Sequence, residues 1–156
     1  MAATALRDAL LALDKLDDDG RSEAWQKLRK QHGDAVFEAA LEVYPKLRKA
    51  PARLALVFSA IPRARACDAA FRLGLAALSD RATLVRYRAC MVVAYSLRED
   101  ALPELQTLLS HADAKTVADA RAAIAAIREK NHHLFLDRQR TGRRFWTVNP
   151  GDSPGP

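Results

Sequence analysis

The residues of this 156-residue chain that are best suited to binding chemistry are its arginines, which make up 18 of its 25 basic residues. Four of them lie in the segment Arg138-Gln139-Arg140-Thr141-Gly142-Arg143-Arg144, shortly before Trp146. A guanidinium group can hold a carboxylate or a phosphate through two parallel hydrogen bonds. The segment therefore predicts an anchor for an acidic surface. A second interpretation, compatible with the first, is that it caps the hydrophobic core and that its arginines keep it hydrated.

A second basic region spans residues 21–65, where ten basic and four acidic residues give a net charge of +6. Residues 1–20 carry a net charge of −3, so the overall charge of +6 is unevenly distributed along the chain. Such regions are either hydrated turns or an anion-facing surface. The functional interpretation predicts that these residues contact a partner: Arg48, Arg53, Arg63, Arg65, Arg86, Arg138, Arg140, Arg143, Arg144 and Trp146.

The sequence offers little that could carry catalysis or hold a metal. It contains no Gly-rich phosphate loop, no nucleophile elbow and no zinc-type cysteine spacing. His132 and His133 are adjacent, so we expect them to point in different directions, and the run Asp17-Asp18-Asp19-Gly20 lacks the alternating ligands of a calcium loop. We therefore predict no catalytic, cofactor-binding or metal-binding residues and a protein that is not an enzyme.

The elements that must position these arginines are helices. The chain contains 31 Ala and 21 Leu, and only seven of its 13 Gly and Pro residues precede Gly142. Strong helix formers with few breaks predict an all-α fold and exclude an antiparallel sandwich. The period of apolar residues predicts eight helices, near residues 4–16, 22–33, 34–45, 52–61, 63–78, 82–97, 101–109 and 113–130. The acidic run of residues 17–20 is expected to be the hydrated end of the first, and Asp34 to cap the third. The fourth is apolar almost all round at residues 54–58, so it is expected to be central.

The pattern changes after residue 131, where apolar residues alternate on either side of Thr141-Gly142. A period of two around a glycine turn predicts a small β-hairpin, His133 to Asp137 paired with Arg144 to Val148. We therefore expect a helical domain over residues 1–131, a hairpin over 132–149 packed on the last helices through Phe135 or Trp146, and a flexible tail over 150–156.

An internal repeat links the later helices. Leu78-Ser79 aligns with Leu109-Ser110 at a spacing of 31 residues, and Val85 aligns with Val117 at a spacing of 32. The segments Ala101-Leu102-Pro103-Glu104-Leu105 and Val85-Arg86-Tyr87-Arg88-Ala89 resemble the helix signatures of HEAT-like repeats. The resemblance implies a short right-handed α-solenoid of three to four helical hairpins. The alternative is an all-α orthogonal bundle.

The resemblance also suggests a function. The sequence shows neither an apolar run of membrane-spanning length nor an export signal, so we expect a soluble cytoplasmic protein with no membrane partner. At the level of the family, it is similar to HEAT-like immunity proteins, which bind and occlude bacterial toxins, and this implies an acidic-surfaced toxin domain as partner. Two alternatives remain open. One is a nucleic-acid-binding protein related to HEAT-like alkylpurine DNA glycosylases, and the other is an assembly chaperone or subunit of a larger complex.

Overall fold

A computed structural model describes residues 1–149 and 151–152, and this part of the chain is all-helical, as predicted. Short 3-10 turns join or extend several of the α-helices. The eight α-helices are α1 (Ala2–Leu11), α2 (Asp18–His32), α3 (Val36–Val43), α4 (Ala50–Ala60), α5 (Asp68–Ala77), α6 (Thr83–Ser96), α7 (Leu102–Leu108) and α8 (Ala114–Arg128). Among the residues described, no helix is long and apolar enough to cross a membrane.

Two differences from the predicted helix boundaries arise at acidic residues. Helix α2 begins at Asp18 rather than Ser22, because the Asp17 carboxylate accepts the N–H of Gly20 at 2.8 Å and caps the helix. The acidic run that predicted a hydrated helix end is therefore a helix start. Asp34, predicted to cap the third helix, lies in a 3-10 turn and instead accepts hydrogen bonds from Arg29 and Arg63.

The helices form two layers with the apolar core between them. In one layer α3 packs against both α1 and α5, and in the other α2, α4, α6 and α8 pack in succession. Helix α5 also packs against α6 of the second layer, and α7 packs against α8. The core is filled by large side chains that are almost fully buried, among them Phe37, Leu56, Phe71, Met91 and Tyr95.

Helices α5 and α6 approach most closely at Gly74. A Cβ atom placed on Gly74 would lie 2.8 Å from the Cβ of Val92 and still closer to its Cγ1. Gly74→Ala is therefore expected to lower the free energy of unfolding by about 1–2 kcal/mol, because overpacking outweighs the gain in helix propensity. Chemical denaturation measures this change. Adding Val92→Ala should recover part of the loss, and a Gly74→Ala variant as stable as the natural chain would contradict the close approach.

The predicted C-terminal β-hairpin is wrong, since the described residues contain no strand. His132–Phe135 instead form a 3-10 turn whose four side chains are all buried, an arrangement that an alternating strand cannot give. The Asp137 carboxylate then accepts the backbone N–H groups of Thr141 and Gly142, at 2.9 and 2.8 Å. These local hydrogen bonds close the turn without a strand ladder, because a side chain satisfies the donors that a partner strand would otherwise meet.

Trp146 and Asp152, near the end of the described residues, pack against the helices. Of the predicted flexible tail, Pro150 and residues 153–156 lie outside the described residues. Asp152 is only 9% exposed, and its carboxylate accepts two hydrogen bonds from Arg65. Trp146 stacks on Phe58 of α4 with 5.7 Å between ring centroids, and Phe135 is fully buried.

The buried His133 gives the fold a dependence on pH. Burial lowers its pKa below the ordinary 6.5, and the nearby His132 and Arg144 lower it further, against the opposing effect of Asp152 and Asp137. The unfolded chain then takes up a proton below about pH 6.5 that the folded chain does not, so acidification destabilises the fold. We expect the free energy of unfolding to fall by roughly 1 kcal/mol or less between pH 7 and pH 5.5 on account of His133.

The variant His133→Phe should remove this part of the pH dependence, as measured by denaturation at the two pH values. His32→Phe, at the half-exposed end of α2, is the matched control and should leave it intact. Equal pH dependence in the natural chain and in His133→Phe would show that His133 is not the responsible group.

Candidate functional site

Three of the arginines are structural. Arg21, Arg53 and Arg86 stand near the start of α2, α4 and α6, spaced by 32 and 33 positions, and each is no more than 7% exposed. Each guanidinium donates to a backbone carbonyl in the loop that precedes its own helix: Arg21 to Leu16, Arg53 to Leu47 and Arg48, and Arg86 to Asp80. The same type of hydrogen bond therefore connects each of these helices to the loop before it.

Arg53 also connects α4 to the loop that precedes α6. Its Nε and Nη2 atoms donate to the two oxygens of Asp80, at 2.7 and 3.1 Å, and the Tyr44 hydroxyl donates to the same carboxylate. The side chains of Arg53 and Asp80 are 4% exposed or less. Burial alone would raise the pKa of Asp80, but the hydrogen bonds from Arg53 and Tyr44 hold it below the ordinary value.

Arg86 repeats this arrangement one hairpin later. It donates to the Asp113 carboxylate at 3.0 Å and to the Thr116 hydroxyl at 2.9 Å. Burial opposes ionisation of Asp113, yet its hydrogen bonds, beginning with the N–H of Lys115, lower its pKa to about 2. Arg53 and Arg86 were predicted to contact a partner. The structure instead places their guanidinium groups inside the fold, where they donate hydrogen bonds to carboxylate, hydroxyl and carbonyl oxygens of the chain itself.

The other predicted arginines lie nearer the surface. Arg63 pairs with Asp34, Arg65 with Asp152, Arg138 with Asp119 and Arg140 with Glu129. Arg48, Arg143 and Arg144 are exposed, and within residues 1–149 and 151–152 no ion pair involves them. The structure therefore does not gather the ten predicted residues into one surface.

A groove runs along the layer made by α2, α4, α6 and α8, and we call it the even-helix groove. Its central section, of about 430 Å³, is lined by Trp25, Leu54, Phe58, Leu84 and Arg88 among others. A section of about 260 Å³ shares Trp25 and Phe58 with the central one, and a section of about 390 Å³ shares Leu84 with it. A section of about 280 Å³ follows the latter and shares Ala118 and Arg138 with it. The four sections therefore follow one another along this layer.

The centre of the even-helix groove is apolar and exposed. Phe58 is 44% exposed and Leu84 is 53% exposed, although both stand on helices whose other faces are buried. The guanidinium of Arg88 lies 5.0 Å from the ring centroids of both Phe58 and Tyr87. Arg88 forms no ion pair with any described residue, so aromatic faces hold an uncompensated cation there.

One end of the groove is an aromatic corner. Trp25, Phe58 and Trp146 line the section of about 260 Å³, together with Arg29 and Arg63. These two arginines share the single carboxylate of Asp34, at 2.7 and 2.5 Å, so the corner keeps a net positive charge. The hydrogen bonds from Arg63 and then Arg29 lower the pKa of Asp34.

The other end of the groove carries several charged side chains. Asp119 of α8 is 6% exposed, and its carboxylate accepts a hydrogen bond from Arg138 at 2.8 Å. Burial raises the pKa of Asp119, with Arg138 opposing it. Lys115 and Arg121, both exposed on the same helix, add positive charge without an ion pair among the described residues.

A metal-ligand cluster or an activated cysteine in the described part of the chain would support metal or nucleophilic chemistry. No three His, Cys, Asp or Glu side chains there come together to hold a metal ion. Cys90 is fully buried, and burial raises its pKa to about 12, so it lies in the fold as a thiol rather than as a nucleophilic thiolate. The arrangement at the groove is suited to holding a ligand.

Sequence reasoning missed the residues that shape the groove, namely Trp25, Phe58, Leu84 and Arg88. One signal was available: residues 54–58 are apolar on every side, which predicted a central helix. A helix with no polar face that lies at the surface must expose apolar side chains, and here these are Phe58 and part of Leu54.

Comparisons with protein-family models, with curated proteins and with solved structures give no match to this chain.

Proposed function

We propose that the chain is a non-catalytic binding module, a short right-handed stack of HEAT-like helical hairpins that holds an acidic protein in its even-helix groove. The functional model we favour is an immunity protein, which binds a cognate bacterial toxin and covers its active site. The observation that carries the proposal is the exposed apolar centre of the groove, Phe58 and Leu84, with the uncompensated cation of Arg88 beside it. Apolar centres with aromatic and Arg neighbours are typical of protein interfaces.

The repeat architecture is supported by two features of the packing. Alternate helices contact each other, α2 with α4, α4 with α6 and α6 with α8. The buried arginines recur every 32 or 33 positions, and Arg53 and Arg86 each reach the carboxylate of the next hairpin's loop. Contacts restricted to neighbouring units are the organising feature of helical repeat proteins.

The acidic character of the partner follows from the charges along the groove. Three of the cations that line it, Arg88, Lys115 and Arg121, form no ion pair within the described residues. Of its acidic residues, Asp18 and Asp119 are paired with arginines, and the Asp137 carboxylate accepts the N–H groups of Thr141 and Gly142. A groove with this surplus attracts carboxylates and accelerates their association.

Nucleic acid remains the second candidate, because the groove contains exposed aromatic rings beside arginines and the carboxyl of Asp119 lies near Tyr87. The protein partner is favoured, since the largest section of the groove is apolar and most arginines are already paired. A phosphate-binding face requires free cations along its length, and its affinity falls steeply with salt.

The experiment uses the purified protein encoded by the gene next to the one for this chain. Calorimetric titration at about 0.15 M salt is expected to show a one-to-one complex with a Kd in the micromolar range or tighter, and excess duplex DNA should not compete. Absence of association with that protein, together with salt-sensitive binding of the DNA, would replace the proposal by the second candidate. If the chain bound neither that protein nor the DNA, both candidate functions would be contradicted.

A further inference from the structure

The last described residues bring a carboxylate into the interior of the molecule. Asp152 Oδ1 and Oδ2 accept hydrogen bonds from the two terminal nitrogens of Arg65, at 2.7 and 2.8 Å. The Nδ1 atom of His132 contacts Oδ2 from the other side. His132 is fully buried and the Asp152 side chain is 7% exposed, so the carboxylate is enclosed.

The groups that receive this carboxylate belong to three separate parts of the fold. Arg65 precedes α5 and also donates to the carbonyl oxygen of Tyr95 in α6, at 2.9 Å. The Tyr95 ring in turn lies 4.6 Å from the ring of His132, which belongs to the 3-10 turn after α8. The receiving groups are therefore positioned by the helices and not by the C-terminal segment itself.

The chain between residues 143 and 148 is held through side chains. Among the described residues, no backbone–backbone hydrogen bond joins this stretch to the helices. Trp146 packs on the rings of Phe58 and Tyr95, its carbonyl accepts a hydrogen bond from the Tyr95 hydroxyl at 3.2 Å, and Val148 packs against the core. Phe145 is 59% exposed, and Arg143 and Arg144 are exposed too.

The start of the segment has its own fixed point. The Asp137 carboxylate accepts the N–H groups of Thr141 and Gly142, and Gly142 has a φ of 81°, which favours glycine. The segment thus has a firm turn at one end, an enclosed carboxylate at the other and a middle that side chains hold without backbone hydrogen bonds to the helices.

We propose that Arg65 and His132 form a carboxylate-binding site that Asp152 occupies, and that residues 141–149 with 151–152 are a releasable strap fastened by this site across the aromatic corner of the groove. Release of the carboxylate frees the strap, removes Trp146 from Phe58 and leaves Arg65 open to another carboxylate. The corner that Trp146 completes then exists only in the fastened form. Burial alone would raise the pKa of Asp152, but Arg65 and His132 hold it at about 2, so the carboxylate is charged at neutral pH.

Fluorine NMR of the full chain labelled with 5-fluorotryptophan tests the strap. The chain contains two Trp residues, and the variant Trp146→Phe assigns their resonances. In Asp152→Asn the Trp146 resonance is expected to move to the position of a solvent-exposed ring and to sharpen. The Trp25 resonance should keep the line width of a buried ring, because Trp25 packs against Phe37 in the core. Cleavage by trypsin at Arg143 and Arg144 should become at least ten-fold faster.

Asp100→Asn is the matched control, because it makes the same change in an exposed ion pair with Arg98. It should leave both resonances and the cleavage rate as they are in the natural chain. Arg65→Gln removes the same ion pair from the receiving side, so it should behave like Asp152→Asn. An unmoved Trp146 resonance in both strap variants overturns the proposal. So does the appearance of both resonances as sharp lines of solvent-exposed rings, since the segment would then belong to the cooperative core.

Discussion

Replacing Asp80 with alanine is expected to lower the free energy of unfolding by about 3–5 kcal/mol, a large part of the stability of a domain of this size. Asp80 accepts hydrogen bonds from Arg53 and Tyr44, and its removal leaves the guanidinium of Arg53 inside the fold without its counter-charge. Denaturation in urea measures the change, and Asp80→Asn offers a milder variant if Asp80→Ala does not fold.

Two further variants isolate the cause. Glu42→Ala breaks the exposed ion pair with Arg7, whose two side chains are 42% and 52% exposed, and should leave the stability almost unchanged. Arg53→Met combined with Asp80→Ala should be more stable than Asp80→Ala alone, because no unpaired charge is then buried. If Asp80→Ala were no more destabilising than Glu42→Ala, the buried pair would have no special role in joining the hairpins.

The second large effect concerns binding. Phe58→Ala is expected to weaken the complex with the partner at least 30-fold, or about 2 kcal/mol, because an exposed aromatic ring at the centre of an interface is a typical hot spot. The change should cost little stability, since Phe58 is 44% exposed. Calorimetric titration against the protein encoded by the adjacent gene measures the affinity.

Leu109→Ala is the control for Phe58→Ala. Leu109 is 37% exposed at the end of α7, so its truncation also removes exposed apolar surface but leaves the even-helix groove intact. Its Kd should stay within about two-fold of that of the natural chain. A normal affinity in Phe58→Ala would place the binding surface elsewhere on the molecule.

The sequence was sufficient to predict the all-α fold, because helix propensity and apolar period report on local structure. It failed where a side chain replaces a backbone interaction. Asp17 begins a helix that its acidic run seemed to end, and Asp137 closes a turn that alternation had assigned to a hairpin. In both places one carboxylate satisfies local N–H donors, and composition or period cannot reveal which donors a carboxylate will reach.

The site was harder to predict than the fold, for a different physical reason. Arg53, Arg86 and Arg88 have the same side chain, yet the first two are buried against carboxylates and carbonyls whereas the third lies between aromatic rings in a groove. The distinction depends on residues 27 or 30 positions away, such as Asp80, Asp113 and Phe58. The spacing of 33 between Arg53 and Arg86 was a sign in the sequence that the two arginines have equivalent places near the start of α4 and α6.

The central claim is that a positively charged groove holds an acidic protein, and a matched pair of charge reversals tests it most directly. Arg88→Glu places a negative charge at the centre of the groove, whereas Arg128→Glu makes the same change in the net charge at an exposed end of α8 that does not line it. Measured by calorimetry against the protein encoded by the adjacent gene, Arg88→Glu should weaken binding at least 100-fold, or about 3 kcal/mol, and Arg128→Glu less than about three-fold. Equal effects of the two variants would contradict the claim, because binding would then depend on net charge and not on the groove.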